Sequence, residues 1–354
     1  MRPTMRFVAA VACPILMATA ASAHSGQGQS TATGLSRAFN PAISANGLFL
    51  GNYLSGEEEG AEPATGLHFE EMEVQLASSV DAYLKADLIL ALPGGEGIEV
   101  EEGFVTTQGL PYNLILKAGK FYADLGRHNT LHAHAFPFVD APLVLERLLG
   151  EEGLNETGLG LSTLLPAPWY AELSGQVLNG DHELFASPKG RDLLYVGHLK
   201  NFWDLGERAT LELGGSWAGG TNQDRRTSTL TGADLTLKWR AGGSGQRALV
   251  WQAEYLRARR ELPEGTDAQG GLYSLVQYQC SRRWWVQARY DLFGLPRPEG
   301  GEREHRVSGL LALVPSEFSA LRLQYSRLDA GAEAVDQVLL QFNFTIGSHP
   351  AHRY

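Results

Sequence analysis

The chain has 354 residues, a formal net charge of −11 at pH 7 and only two cysteines. This acidic balance opposes nucleic-acid binding, which needs a basic surface, and disfavours a strongly anion-selective pore. Mean hydropathy is slightly negative. After residue 23 no apolar run approaches the ~18 residues that a spanning helix needs, so a helical membrane protein is not predicted.

The N-terminus has the three parts of a secretory signal peptide. Arg2 and Arg6 supply positive charge, residues 7–20 form a short apolar core, and residues 21–23 form a small-residue cleavage site. The alternative is a transmembrane anchor, but the apolar core is too short and no stop-transfer pattern follows. We therefore predict a signal peptide over residues 1–23 and an exported protein.

The exported chain begins with a predicted flexible leader at residues 24–38, which is rich in Gly, Ser, Gln and Thr. Cys13 leaves with the signal peptide, so only Cys280 remains and an intramolecular disulfide is excluded. The rest, residues 39–354, reads as one domain without a linker or a tandem repeat.

Apolar and polar residues alternate through most of this domain. Val286, Ala288 and Tyr290, for example, interleave with Gln287 and Arg289. Period two places the two sets on opposite faces of a strand. Arg or Lys in mid-bilayer costs about 2–4 kcal/mol, so the charged set should face a lumen and the apolar set should face lipid.

A soluble β-sandwich also alternates, with its apolar set turned inward. Aromatic residues near the ends of the apolar faces instead favour the interfacial girdles of a transmembrane barrel. They are Trp239, Trp251, Tyr255, Trp284, Tyr290, Tyr325 and Phe344.

The turn residues predict about 16 antiparallel strands in a closed transmembrane β-barrel, with 14 to 18 as the alternatives. The predicted strands are residues 39–52, 67–80, 83–92, 98–107, 113–121, 154–165, 169–178, 192–201, 207–218, 229–240, 247–258, 271–280, 284–293, 305–314, 318–328 and 335–346. Short connections alternate with longer polar ones, which is the pattern of periplasmic turns and external loops.

The third external segment is the longest, from about Tyr122 to Gly153. Long loops in a compact fold are usually functional, and we predict that this one folds into the lumen and lines a constriction with charges. The alternative is an external cap. The candidate constriction residues are Asp124, Arg127, His128, His132, His134, Asp140, Glu146 and Arg147.

Histidines make metal binding, with Zn²⁺ as the candidate ion, a further hypothesis. His132 and His134 form a His-x-His pair whose rings point the same way in an extended segment. His128 is a third candidate, and Asp140 or Glu146 is a candidate to complete the site. A second pair follows the last predicted strand, at His349 and His352. The alternative is that these histidines make ordinary hydrogen bonds.

Enzyme motifs are missing from the sequence. It has no Walker loop, no H-E-x-x-H and no G-x-S-x-G. The pair Glu101-Glu102 lies on a predicted strand without a base beside it. The acidic residues at 57–59, with Glu62, read as a solvated loop face, or alternatively as a site for divalent cations that bridge lipopolysaccharide. No enzyme activity and no required cofactor are expected.

Three stretches carry a family resemblance. Residues 116–121, leading into 125–127 and the His-rich loop, resemble the corresponding passage of phosphate-selective-porin-like outer-membrane proteins. Residues 39–44 and 342–352 look like the zinc-regulated outer-membrane porin branch of that superfamily. The resemblance implies a 16-stranded barrel and a role in solute or metal uptake. Phosphate-selective members carry ladders of Lys and Arg that this chain lacks.

The sequence therefore predicts a bacterial outer-membrane channel for passive diffusion of small hydrophilic solutes or ions, weakly cation-preferring. The alternatives are a zinc or divalent-metal uptake barrel and a non-conducting structural or adhesive barrel. The expected partners are lipid, lipopolysaccharide, the barrel-assembly machinery and two further copies in a homotrimer. The charges predicted to face the lumen are Lys85, Asp87, Glu99, Glu101, Glu172, Glu212, Asp234, Lys238, Arg289 and Arg322.

Overall fold

The computed structural model describes residues 41–55, 64–94, 97–188, 192–242, 247–296, 303–331 and 334–347. The predicted signal peptide and leader, the acidic run at 57–62, and His349 and His352 lie outside the described residues. Within them, 16 strands pair antiparallel with their chain neighbours, and β1 pairs with β16 to close a barrel. The predicted fold class is confirmed.

The strands follow one another around the barrel in chain order. They are β1 (Ala42–Leu54), β2 (Gly66–Ser79), β3 (Leu84–Pro93), β4 (Glu99–Thr107), β5 (Ile115–Tyr122), β6 (Asn155–Leu164), β7 (Tyr170–Leu178), β8 (Leu194–Asp204), β9 (Ala209–Thr221), β10 (Thr227–Arg240), β11 (Ala248–Leu262), β12 (Gly265–Gln279), β13 (Trp284–Phe293), β14 (Glu304–Ser316), β15 (Ser319–Asp329) and β16 (Ala334–Gly347).

Charged side chains are buried in this barrel while large apolar ones are exposed. On β13, Arg289 and Asp291 are 2% and 0% exposed, whereas Val286 and Tyr290 are 49% and 41% exposed. A soluble sandwich would bury the apolar set. Here Leu, Val and aromatic residues face outward around an ionic interior, as expected for a barrel surrounded by hydrocarbon. Hydrocarbon offers no hydrogen bonds, and closure of the sheet gives the backbone amides their partners.

Closure of the barrel is supported by aromatic contacts where β1 meets its two neighbours. The ring of Phe49 lies 5.4 Å from that of Phe69 on β2 and 6.0 Å from that of Phe344 on β16. Such pairs contribute about 0.5–1.5 kcal/mol each beyond their area burial. The seam between the first and last strands therefore has side-chain packing as well as a hydrogen-bonded ladder.

Two predicted external loops are much shorter in the structure than in the prediction. The segment 259–270 belongs largely to β11 and β12, which pair as far as Leu262 and Gly265, and β9 and β10 pair as far as Thr221 and Thr227. The β11–β12 end carries charge on both faces, as at Arg259 and Arg260, and the β9–β10 end consists of Gly, Thr and Ser, so the alternation that marks a strand between lipid and lumen is lost at both.

One α-helix is described, α1 (Leu143–Leu149), in the long segment between β5 and β6. Among the described residues, no helix is long and apolar enough to cross a membrane. The buried residues of α1 join a hydrophobic cluster with Leu256, Phe293 and Leu310 of the wall, and α1 packs against β11, β12 and β13. Each fully buried Leu stabilises this arrangement by about 1.5–3 kcal/mol.

Candidate functional site: a loop across the barrel interior

The segment between β5 and β6, residues 123–154, crosses the interior of the barrel; we call it the inner loop. The amide of Gly126 donates to Ser216 Oγ on β9 at 2.8 Å. The amide of Val139 donates to Gln324 Oε1 on β15 at 2.8 Å, and Asn343 on β16 donates to the carbonyl of His134 at 3.0 Å. Contacts with strands so far apart around the barrel place this segment inside it, as predicted, rather than over its mouth.

Asn129 closes the base of the inner loop. Its amide nitrogen donates to the carbonyls of Ala123 at 2.9 Å and Leu154 at 3.1 Å, while its oxygen accepts from the Leu154 amide at 2.8 Å. The two ends of the loop are therefore tied together by one side chain that is 4% exposed. Burial requires such satisfied hydrogen bonds, since an unpaired buried amide costs about 1–3 kcal/mol.

Gly126 gives the loop its first sharp turn. Its φ is +59°, and a Cβ at this position would overlap the carboxylate of Glu254 on β11. Glycine is therefore required both by the backbone conformation and by the close approach to the wall.

Three arginines of the wall form a clamp on the far part of the inner loop; we call Arg289, Arg306 and Arg322 the arginine clamp. Arg289 lies 2.9 Å from Asp140, and Arg306 lies 3.1 Å from both Asp140 and Glu146. Arg322 donates to the carbonyl of Phe136 at 2.6 Å. The loop is thus held by ion pairs and by its own carbonyl groups.

The pKa values of the two loop acids shift in opposite directions, because burial and the clamp arginines oppose each other with different outcomes. Burial alone would raise the pKa of Asp140, but Arg289 and Arg306 together hold that pKa below its usual value. At Glu146 burial outweighs Arg306, and the pKa is raised. Asp140 is therefore the charged anchor of the clamp.

His128 and Arg127 contact a second part of the wall. Arg127 lies 2.9 Å from Glu212 on β9. His128 is buried, with its ring 4.4 Å from that of Phe136 and 6.1 Å from that of Tyr273. Burial, assisted by the positive charge of Arg289, lowers the pKa of His128 to about 3, so its ring is neutral at ordinary pH.

His132 and His134 contact a third part, where β2 and β4 carry glutamates. Nδ1 of His132 lies 3.1 Å from Glu101 and 3.3 Å from Glu73, and its Nε2 lies 3.1 Å from Glu102. Nδ1 of His134 lies 3.0 Å from Glu73. Burial lowers the pKa of His132, but the carboxylates outweigh burial and raise it well above the ordinary value.

Two β-bulges explain how so many glutamates face inward. In β2 the register shifts so that Glu70 is an extra residue, and in β4 Glu101 is the extra residue. At a bulge two residues oppose one on the partner strand, which lets neighbouring side chains turn to the same face. Glu70 and Glu71, and Glu101 and Glu102, are therefore available to the lumen as pairs.

The residues predicted to form one metal site do not all lie together in the structure. His128 packs against aromatic rings away from the other two histidines, and Asp140 and Glu146 are paired with the arginine clamp. His132 and His134 do lie together, with ring centroids 5.8 Å apart. The acids beside them are glutamates from strands, and the pair Glu101-Glu102, predicted to lack a base, faces His132.

The charges predicted to face the lumen lie on the interior side of their strands, and several contact each other or the inner loop. Lys85 pairs with Asp87 at 2.9 Å, and Arg289 bonds to the loop. Lys238 and Asp234 lie near Glu212 on the β9–β10 wall. Glu172 accepts a hydrogen bond from Tyr170, and Glu99 is exposed at the end of β4.

Sequence reasoning missed Arg306, Asn129 and the glutamates of β2. The signal for the last was present, because Glu70-Glu71 interrupts the alternation of β2, and adjacent charges within a strand indicate a bulge. Nothing local marks Arg306 as a clamp residue, since its partners are about 160 residues away.

An acidic cavity of about 770 Å³ opens beside the inner loop at the end of the barrel with the long connections. Acids outnumber arginines around it, and Arg147 is already paired with Glu304 at 2.8 Å. We call this cavity the acidic mouth. Its acidic residues are Glu146, Glu151, Glu152, Glu156, Asp181, Glu183 and Asp267.

Comparison with known proteins shows a relative by sequence. A protein of Aquifex aeolicus (strain VF5), described as an uncharacterized protein, is 32% identical over 353 aligned positions, which cover 84% of this chain and 72% of that protein. The chain belongs to the family of this Aquifex protein. No family model matches the chain.

The barrel of this chain is similar to those of solved outer-membrane proteins. A loop L8 deletion mutant of OmpT, an outer membrane protein of Vibrio cholerae, matches with a TM-score of 0.59 and 10% identity over 86% of this chain and 99% of that chain. An anion-selective porin from Comamonas acidovorans matches with a TM-score of 0.59 and 11% identity over 86% of this chain and all of that one. At such identities the likeness shows the porin fold. The zinc-regulated branch stays a prediction.

Proposed function

We propose that the protein is a bacterial outer-membrane channel through which small hydrophilic solutes or ions diffuse passively, with a weak preference for cations. The observation that carries this proposal is the inner loop, which is fixed across a charged interior by ion pairs and hydrogen bonds to strands on several sides. A loop held in this way narrows a lumen and lines it with charge.

The preference for cations is supported by the charge of the entrance. Seven acids and two arginines, Arg147 and Arg260, line the acidic mouth. A cleft lined by one sign of charge raises the local concentration of the opposite ion. Arg289 and Arg306 do not cancel this field, because both are paired with Asp140 and Asp291.

Planar-bilayer recording of the purified, folded protein tests the proposal. We expect discrete ohmic conductance steps, and in a KCl gradient a reversal potential of the sign that K⁺ permeation gives. Boiled protein serves as the control for insertion artefacts. Absence of steps from protein with heat-modified gel mobility would contradict a channel, and a reversal potential of the Cl⁻ sign would contradict the preference for cations.

A further inference from the structure

Three ligand groups from three different segments meet on the β2–β4 wall. Glu73 of β2, Glu101 of β4 and His132 of the inner loop each place a nitrogen or oxygen within 4.8 Å of the other two. Glu73 and the imidazole of His132 are almost fully enclosed, with side chains 4% and 16% exposed. The inner loop thus reaches the wall through a histidine set between two carboxylates.

The atoms at the centre of this group lack hydrogen bonds. Nδ1 of His132 and Oε2 of Glu73 are buried without a hydrogen-bond partner, although they lie 3.3 Å apart. Two ligands of one tetrahedral Zn²⁺ also lie about 3.4 Å apart, because Zn–N and Zn–O bonds are about 2.0–2.1 Å long. The spacing therefore suits a shared cation, whereas the directions of the groups do not suit a hydrogen bond.

The surrounding residues orient the group for a cation. Nε2 of His132 lies 3.1 Å from Glu102, and the hydroxyl of Tyr122 donates to Glu101 at 2.8 Å. A histidine that binds a metal almost always gives its other ring N–H to a carboxylate, carbonyl or water, which fixes the ring and strengthens the ligand. With Nε2 facing Glu102, Nδ1 is the ring nitrogen that lies 3.3 Å from Glu73 and 3.1 Å from Glu101.

The local charge also favours a cation. Glu70, Glu71, Glu73, Glu101 and Glu102 lie on this wall, and among the described residues Lys117, 3.8 Å from Glu102, is the lysine that contacts them. A divalent ion would relieve the repulsion between these carboxylates. An imidazole among carboxylates suits Zn²⁺ and its transition-metal neighbours better than Mg²⁺ or Ca²⁺, which prefer oxygen alone.

We propose that Glu73, Glu101 and His132 bind one divalent transition-metal cation of the Zn²⁺ class, which ties the inner loop to β2 and β4. His134, with Nδ1 3.0 Å from Glu73, is the nearest further donor. This site does not depend on whether the barrel conducts. The C-terminal pair His349 and His352 is the alternative site for the same metal, so the experiment has to distinguish the two sites.

Isothermal titration with Zn²⁺ alone, on folded protein first stripped with a chelator, tests the site. We expect one Zn²⁺ per chain at the higher affinity. Glu102→Gln, which removes a group that orients the ligand, should weaken binding by about 10–100-fold, and Glu73→Gln and His132→Gln, which each remove a ligand, should weaken it more. His182→Gln in another loop and a His349→Gln/His352→Gln double variant are the matched controls.

Three results would overturn the site: no Zn²⁺ binding by the wild type, unchanged affinity in Glu73→Gln and His132→Gln, or loss of binding only in the C-terminal double variant. Heat-modified gel mobility checks that each variant is folded. If a variant is not, Co²⁺ titration of the His349→Gln/His352→Gln double variant, which keeps Glu73, Glu101 and His132, decides the question. Strong visible absorption from an ordered nitrogen and oxygen site supports the proposal, and the spectrum of aqueous Co²⁺ overturns it.

Discussion

A neutral histidine in the barrel interior makes stability depend on pH. The pKa of His128 is lowered to about 3 by burial, whereas an exposed histidine in the unfolded chain titrates near 6.5. Between these two pH values His128 is protonated in the unfolded state and neutral in the folded state. Stability is therefore complete above about pH 6.5 and falls as pH decreases, by at most about 1.4 kcal/mol per pH unit from this group.

His128→Phe keeps a flat ring against Phe136 and Tyr273 but removes the titration. We expect the variant to lose less unfolding free energy than the wild type when the pH falls from 6.5 towards 3. Urea unfolding in detergent micelles, followed by tryptophan fluorescence, measures this difference, with His68→Gln as a control. Parallel pH profiles for wild type and His128→Phe would be inconsistent with a buried neutral ring.

Two glycines of the inner loop separate backbone strain from lack of space. Gly126 and Gly150 have φ values of +59° and +70°, but only at Gly126 does a Cβ meet the wall, at Glu254. We expect Gly150→Ala to lower the unfolding free energy by about 1–3 kcal/mol, because its φ of +70° and ψ of −168° lie in a region that essentially only glycine adopts. Gly126→Ala should cost about 1–3 kcal/mol more, from overpacking. Equal losses in urea unfolding would contradict the close approach.

At the scale of elements, the arginine clamp predicts how firmly the inner loop is held. Asp140→Asn removes the charge shared by Arg289 and Arg306, and we expect a loss of about 3 kcal/mol, the low end for a broken buried ion pair, because Asp291 still pairs with both. Trypsin should then cut after Arg147 faster than in the wild type. Asp181→Asn makes the same chemical change in another loop, and similar cleavage rates for all three proteins would speak against the clamp.

The strands show where sequence reasoning succeeds and where it fails. Between lipid and lumen each strand has one apolar face, so the alternation around Leu235 and Val286 predicts the count of 16 and most bounds. Beyond the bilayer both faces meet water and the contrast disappears, which is why the sequence predicts a loop where the hairpin of β11 and β12 continues. The inner loop could be predicted from its length, but not its partners, because pairs such as Arg306 and Glu146 depend on barrel closure.

For the whole molecule, the acidic mouth predicts a selectivity that depends on salt. Glu151→Gln/Glu152→Gln should move the reversal potential in a KCl gradient towards zero. The shift should be larger near 0.1 M than near 1 M salt, because the screening length falls from about 10 Å to about 3 Å. Glu207→Gln/Glu317→Gln, at exposed turns of the other end, is the matched control. A shift of the same size in both double variants would locate the selectivity elsewhere.

The bulge at Glu101 suggests how such a barrel changes its interior chemistry over evolution. An added residue there is absorbed within one strand, so the ladder recovers its register while Val100 still faces outward and one more carboxylate enters the lumen. A single-codon insertion is therefore a route to new interior charge that leaves the strand number and the outer surface unchanged. Relatives should accordingly differ by one-residue gaps inside β2 and β4, in places where barrels usually tolerate only substitution.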